Sequence, residues 1–234
     1  MKLLRLFSVG PVAAVAAALT LLAAAPVAAE TAGRPVNVVL EDQFRNRHET
    51  QRLRGDVVVL VYAERHGAEA ALELGRRLHL RFHPTADQAE ASQWSRQPVV
   101  GLPNWPAGVR VPDVHVVPIA CVPEVPKPLH PVARSRLKQE SPHVSVWLDF
   151  EDSMRQTFGM TSGVPNVAVV DTHGRPQGVL SGKIDDLKFE ELVRRVDLLR
   201  LQARPVVHTA VLPDGPAAGG VVPASGVREP AAGP

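Results

Sequence analysis

One segment constrains this chain more than any other. Residues 57–70, Val-Val-Val-Leu-Val-Tyr-Ala-Glu-Arg-His-Gly-Ala-Glu-Ala, run from an unbroken apolar stretch into a polar turn and then into an alanine-rich stretch. Unbroken β-branched content of this length predicts a strand buried on both faces. His66-Gly67 reads as the turn, and His66–Leu80 as a helix with Ala70, Leu74 and Leu78 on one face and Ala71 beside them. A strand feeding a helix through so short a turn predicts an α/β domain, and it places residues 64–69 at the mouth of the sheet.

The N-terminus reads as an address. Met1-Lys2-Leu3-Leu4-Arg5 is a short basic region, Leu6 to Ala25 is apolar, and Pro26-Val27-Ala28-Ala29 offers small residues for signal peptidase. A cleaved signal over 1–29 and an uncleaved anchor are the two readings; the well-formed cleavage site favours the first, and with it a periplasmic or secreted protein with no stable membrane insertion. Lys2 and Arg5 would leave with the signal, so 26 basic residues become 24 against 24 acidic ones. A neutral mature chain without a basic stripe is not expected to bind nucleic acid. Residues 205–234 are dominated by Pro, Gly, Ala and Val and lack any period, which predicts a flexible tail. Residues 30–204 then form one domain.

Cys121 is the only cysteine, so no intramolecular disulfide can form. It follows a predicted strand, Val114–Ala120. A buried cysteine there would be a small inert hydrophobe, whereas a reactive one needs exposure and a nearby cation. Lys127 is the nearest in sequence, which favours the inert reading.

Further strands are predicted at Pro35–Leu40, Val144–Leu148, Val167–Val170 and Gly178–Ser181. Helices are predicted near Val132–Gln139, over Glu151–Phe158, and over Leu187–Leu201, the last with Phe189, Leu192, Val193, Val196 and Leu199 as its core stripe. Residues 83–112 are proline-rich and carry Trp94 and Trp105; a functional loop and a packed insertion are both open, with loop length favouring the second. The whole is an α/β sandwich with a mixed central sheet flanked by helices.

This order of parts resembles the thioredoxin-like superfamily, in its branch of redoxins, peroxiredoxins and TlpA-type proteins. Three stretches carry the resemblance: Val57–Ala70 as the active-site strand, turn and helix; Val146–Asp152 through Phe158-Gly159-Met160; and Gly163-Val164-Pro165-Asn166 through Asp171-Thr172-His173-Gly174. The resemblance implies a three-layer sandwich with an insertion after its first helix, and a cis-proline at Pro165 lying against the active-site turn. It also implies two cysteines where this chain has His66 and Glu69. Neither is present, nor is the proline, threonine and cysteine pattern that peroxiredoxins need after this strand. The scaffold therefore predicts a non-catalytic module that holds a periplasmic peptide or protein at His66, Gly67, Ala68, Glu69, Val164 and Pro165. The alternative is a thiol-dependent oxidoreductase using Cys121 alone, resolved by an external thiol.

His66 and Glu69 share a helix face but lack the further ligands a metal would need, so no metal site is predicted. His79 and His83 read as surface histidines. No phosphate-binding loop or nucleophile elbow occurs, and no cofactor is expected.

Overall fold

The computed structural model describes residues 33–203. The signal predicted over 1–29 and the tail predicted over 205–234 lie outside the described residues. Seven strands form one sheet: β1 (Val39–Asp42), β2 (Arg47–Glu49), β3 (Val57–Ala63), β4 (Val114–Cys121), β5 (Trp147–Asp149), β6 (Asn166–Val170) and β7 (Pro176–Ser181). Among the described residues four α-helices accompany them: α1 (Ala68–Phe82), α2 (His130–Glu140), α3 (Ser153–Phe158) and α4 (Asp186–Gln202). The strand order is β2-β1-β5-β4-β3-β6-β7. β3, β4 and β5 run parallel, while β6, β7 and the β1–β2 hairpin add antiparallel edges.

β3 sits at the centre because every one of its residues is buried, so both faces need cover. Val57, Val59, Val61 and Ala63 point to the layer containing α1 and α4. Val58, Leu60 and Tyr62 point to the opposite layer, where α3 contributes Met154 and Phe158. Each fully buried aliphatic or aromatic side chain contributes about 1.5–3 kcal/mol through removal from water. The βαβ unit β3-α1-β4, followed by the hairpin β6-β7 and α4, makes the architecture a thioredoxin-like α/β sandwich.

The stripe of α1 is shifted from the one expected. Ala71, Leu74, Leu78 and Phe82 face the core, while Ala70 is exposed. The helix also starts two residues later than predicted, because Arg65–Gly67 forms a separate 3-10 turn. The five stripe residues of α4 are all buried.

The strand expected at Pro35–Leu40 lies instead at Val39–Asp42, and its hairpin partner β2 had no signal in the pattern. β2 is Arg-His-Glu, and it is held through Asp42 at the end of β1. Asp42 Oδ1 accepts from the Phe44 and Asn46 amides, both at 2.8 Å, and Oδ2 contacts His48 Nε2 at 2.8 Å. These partners outweigh burial and hold the Asp42 carboxyl below its ordinary pKa.

Residues 83–112 form two 3-10 turns, Pro84–Gln88 and Trp94–Arg96, joined by irregular chain. Val99 and Val100 pack on the α1/α4 core. Within this region the structure corrects the reading of two histidines. His79 and His83 are buried at 6% and 4% exposure, stacked on each other with ring centroids 4.5 Å apart. Trp94 covers His79 at 3.8 Å and its carbonyl meets His79 Nε2 at 2.9 Å. The i, i+4 spacing put both rings on one helix face, and the loop then folded over that face.

No helix among the described residues is long and apolar enough to cross a membrane.

Candidate functional site

The end of β3, the turn after it and the loop before β6 meet at one end of the strands, inside the sheet's edges. Glu64, the first residue past β3, reaches across to that loop: its Oε2 accepts from Ser162 Oγ at 2.8 Å and from the Gly163 amide at 3.1 Å. The Gly67 amide then closes the 3-10 turn on the Glu64 carbonyl at 3.0 Å.

Gly67 is buried and lies directly on the loop. A methyl group at position 67 would come within 2.8 Å of both Pro165 N and the Val164 carbonyl carbon. Its φ of −99° is open to any residue, so close backbone approach is the physical reason for glycine here. Sequence reasoning had placed Gly67, Val164 and Pro165 together, and the structure brings them into contact. His66, Ala68 and Glu69 stand exposed beside them, and among the described residues neither His66 nor Glu69 makes a side-chain hydrogen bond.

The loop is held from behind by Asn166, which is fully buried. Its Nδ2 donates to the carbonyls of Thr161 and Val164, both at 2.8 Å, and its Oδ1 accepts from the Thr161 amide at 2.8 Å and Ser181 Oγ at 2.6 Å. The Pro165 carbonyl accepts from the Gly182 amide at 2.9 Å. The Val164 N–H, on a half-buried residue, has no acceptor among the described residues. The result is a fixed loop that leaves the Val164 donor beside an exposed turn, the N–H of exposed Ser162 likewise having no acceptor among the described residues.

A second polar junction lies under this corner, with no signal in the amino-acid pattern because its members are far apart in the chain. Tyr62 of β3 is fully buried and donates its hydroxyl to Asp152 Oδ1 at 2.9 Å. Cys121, at the end of β4, donates to the same oxygen at 3.5 Å. Arg155 pairs with the other oxygen. Asp152 holds a left-handed conformation, φ 57°, at the start of α3. Asp149 caps α3 from below, with Oδ2 accepting from the Met154 amide at 2.8 Å and Oδ1 from the Ser153 amide at 3.0 Å.

This environment decides the state of the thiol. Cys121 is 3% exposed. Burial above all pushes its pKa up to about 12; the Tyr62 hydroxyl opposes this, and the acidic Asp149 and Asp152 add to the rise. The same burial, with Cys121 and Asp152 as neighbours, raises the Tyr62 phenol. Neither exposure nor a facing cation, the two conditions for a reactive thiolate, is met. One oxygen each of Glu64 and Asp152 and the Cys121 sulfur lie within 4.8 Å of one another. Glu64 and Asp152 accept the hydrogen bonds just described and the Cys121 thiol donates one, so Tyr62, Cys121 and Asp152 tie β3, β4 and α3 together.

No family model matches the chain, and no curated protein matches it. Solved structures do align with it. The exposed lipoprotein thioredoxin of Streptococcus pneumoniae is 12% identical, with 70% of this chain and 99% of that one covered at a TM-score of 0.42. A peroxiredoxin-like protein from Aquifex aeolicus is 13% identical, covering 72% and 86% at 0.42. Yeast Sco1 is 12% identical, covering 72% and 96% at 0.43.

Proposed function

We propose that this chain is an exported, non-catalytic binding module that holds an extended peptide segment of a protein partner at the junction of the His66–Glu69 turn and the Val164–Pro165 loop. The observation that carries this reading is the Val164 N–H, an unengaged backbone donor on a loop braced by Asn166 and pressed against Gly67. A fixed backbone donor beside an exposed turn suits main-chain recognition, in which a carbonyl of an extended segment accepts from it. His66, Ala68 and Glu69 would supply side-chain contacts on the exposed rim. Export rests on the N-terminal address alone.

The competing reading, an oxidoreductase working through Cys121, has the thiol's burial and its acidic neighbours against it.

The test is selection of binders from a displayed library of random decapeptides, followed by titration of the tightest. Main-chain recognition is expected to be lost when the one peptide carbonyl that accepts from Val164 is removed by an (E)-alkene isostere of its amide, and weakened about tenfold by Pro165→Ala through misplacement of the Val164 donor. Retention of no peptide, or binding indifferent to both carbonyl removal at every position and Pro165→Ala, would overturn the reading.

A further inference from the structure

β4 is a central strand of a parallel pair, and its face toward α1 should be covered. Yet Val116 and Pro118 remain half-exposed on that face. The helix above them, α2, buries none of its residues. Between α1 and α2 lies a cleft of about 400 Å³, floored by Val61, Val116 and Pro118 and walled by Leu72, Leu137 and Trp94. That volume is in the range of small-molecule sites, and the lining is apolar as such sites usually are.

Gly75 argues that the space belongs to the fold. It lies in the interior of α1, where glycine is the poorest helix former after proline. Close packing usually explains such a glycine, but a methyl group added here would meet nothing within 4 Å. It lines the cleft, and what its missing side chain provides is room.

The polar groups around the cleft are mostly engaged elsewhere. Glu140 is paired with Arg136 at 2.8 Å, Ser141 Oγ donates to the Val144 carbonyl at 2.8 Å, and His79 Nε2 meets the Trp94 carbonyl. Arg76 is the one charged group of the lining left over: it is exposed and makes no ion pair or hydrogen bond among the described residues. An apolar chamber with an unpaired cation at its rim is complementary to a molecule with an apolar body and one negative head.

From this complementarity we infer that the α1/α2 cleft binds an alkyl monocarboxylate, its chain on Val116 and Pro118 and its carboxylate at Arg76. The cleft adjoins the turn proposed to hold a peptide at Ala68, which lines it, while Arg76, Val116 and Pro118 lie outside that turn.

Calorimetric titration of the purified chain with decanoate, and with decan-1-ol as the uncharged counterpart, tests this. One saturable site for decanoate is expected, tighter than for the alcohol. Arg76→Gln should weaken decanoate about threefold while leaving decan-1-ol unchanged, as suits a partly solvated charge pair. Gly75→Leu should abolish both by filling the cleft while raising the melting temperature, since leucine is the better helix former. Leu137→Trp fills the cleft from the α2 side and is expected to act likewise. The inference is overturned by an absence of saturable binding, by decanoate binding that survives both filling variants, or by equal affinity for acid and alcohol. It is also overturned if sedimentation shows a dimer that Gly75→Leu dissociates, for then the occupant is a second copy of this chain.

Discussion

Cys121 shows how residue type and residue chemistry can part company. A thiol at the end of a central strand, one strand from the corner where thioredoxin-like proteins keep theirs, invites a redox role. The side chain instead lies among Ile119, Trp147 and Met154 and donates to a carboxylate. With its pKa pushed up to about 12, the thiolate fraction at neutral pH is on the order of one in 10⁵. Reaction with Ellman's reagent is therefore expected to be slow in the folded chain and to become rapid in denaturant, by at least about a hundredfold. Disulfide reduction and peroxide consumption should be absent in the parent and in Cys121→Ser alike. Rapid labelling of the folded chain, or an activity that Cys121→Ser removes, would return the one-cysteine enzyme to first place.

At the scale of elements, residues 83–112 are held by one buried cation. Arg200 of α4 is fully buried. It donates through Nε to the Pro112 carbonyl at 2.9 Å and through Nη2 to the Val100 carbonyl at 2.6 Å, and its Nη1 pairs with Asp197 at 3.0 Å. Asp56 closes the far end, accepting from the Asp113 amide at 2.8 Å and from Arg110 and His115. Arg200→Met would leave two inward carbonyls without donors, at a cost of about 2–4 kcal/mol. A lower urea midpoint is expected, together with faster tryptic cleavage at Arg96 and Arg110; an unchanged cleavage rate would mean that the apolar packing of Val99 and Val100 alone holds the loop.

What was legible in the chain divides along the same line. β3 and α4 announced themselves because burial imposes a pattern on consecutive residues, and the contact of Gly67 with Pro165 followed from resemblance. β2 was illegible because its three residues carry no apolar period and depend on Asp42. Nor was the burial of His79 and His83 legible, since what covers His79 is Trp94, a loop residue with no periodic relation to α1. The Tyr62–Cys121–Asp152 junction and the α1/α2 cleft arise only once strands from distant parts of the chain lie side by side.

For the molecule as a whole, the histidine stack makes stability depend on pH in a definite window. His83 is surrounded by His79, Asp113, His115 and Arg200, and its Nδ1 is buried without a partner among the described residues. Burial, then the proximity of His79, lowers its pKa from 6.5 to about 4, the Asp113 carboxylate opposing. The folded state therefore refuses a proton that the unfolded chain accepts between pH 6.5 and 4. Stability is undiminished above pH 6.5 and falls as pH drops through that window, by about 2 kcal/mol between pH 7 and pH 5. His79, lowered by its own burial, acts in the same direction. Asp42 and Asp56 also lie below their ordinary values, but carboxylates of that kind lose their contribution only below about pH 4, where the unfolded chain protonates them. Urea midpoints at pH 5, 6 and 7 should show the decline, and His83→Gln should flatten it even if it lowers stability at every pH. If the variant keeps the full slope, the proton enters elsewhere and the stack does not set the acid limit of the fold.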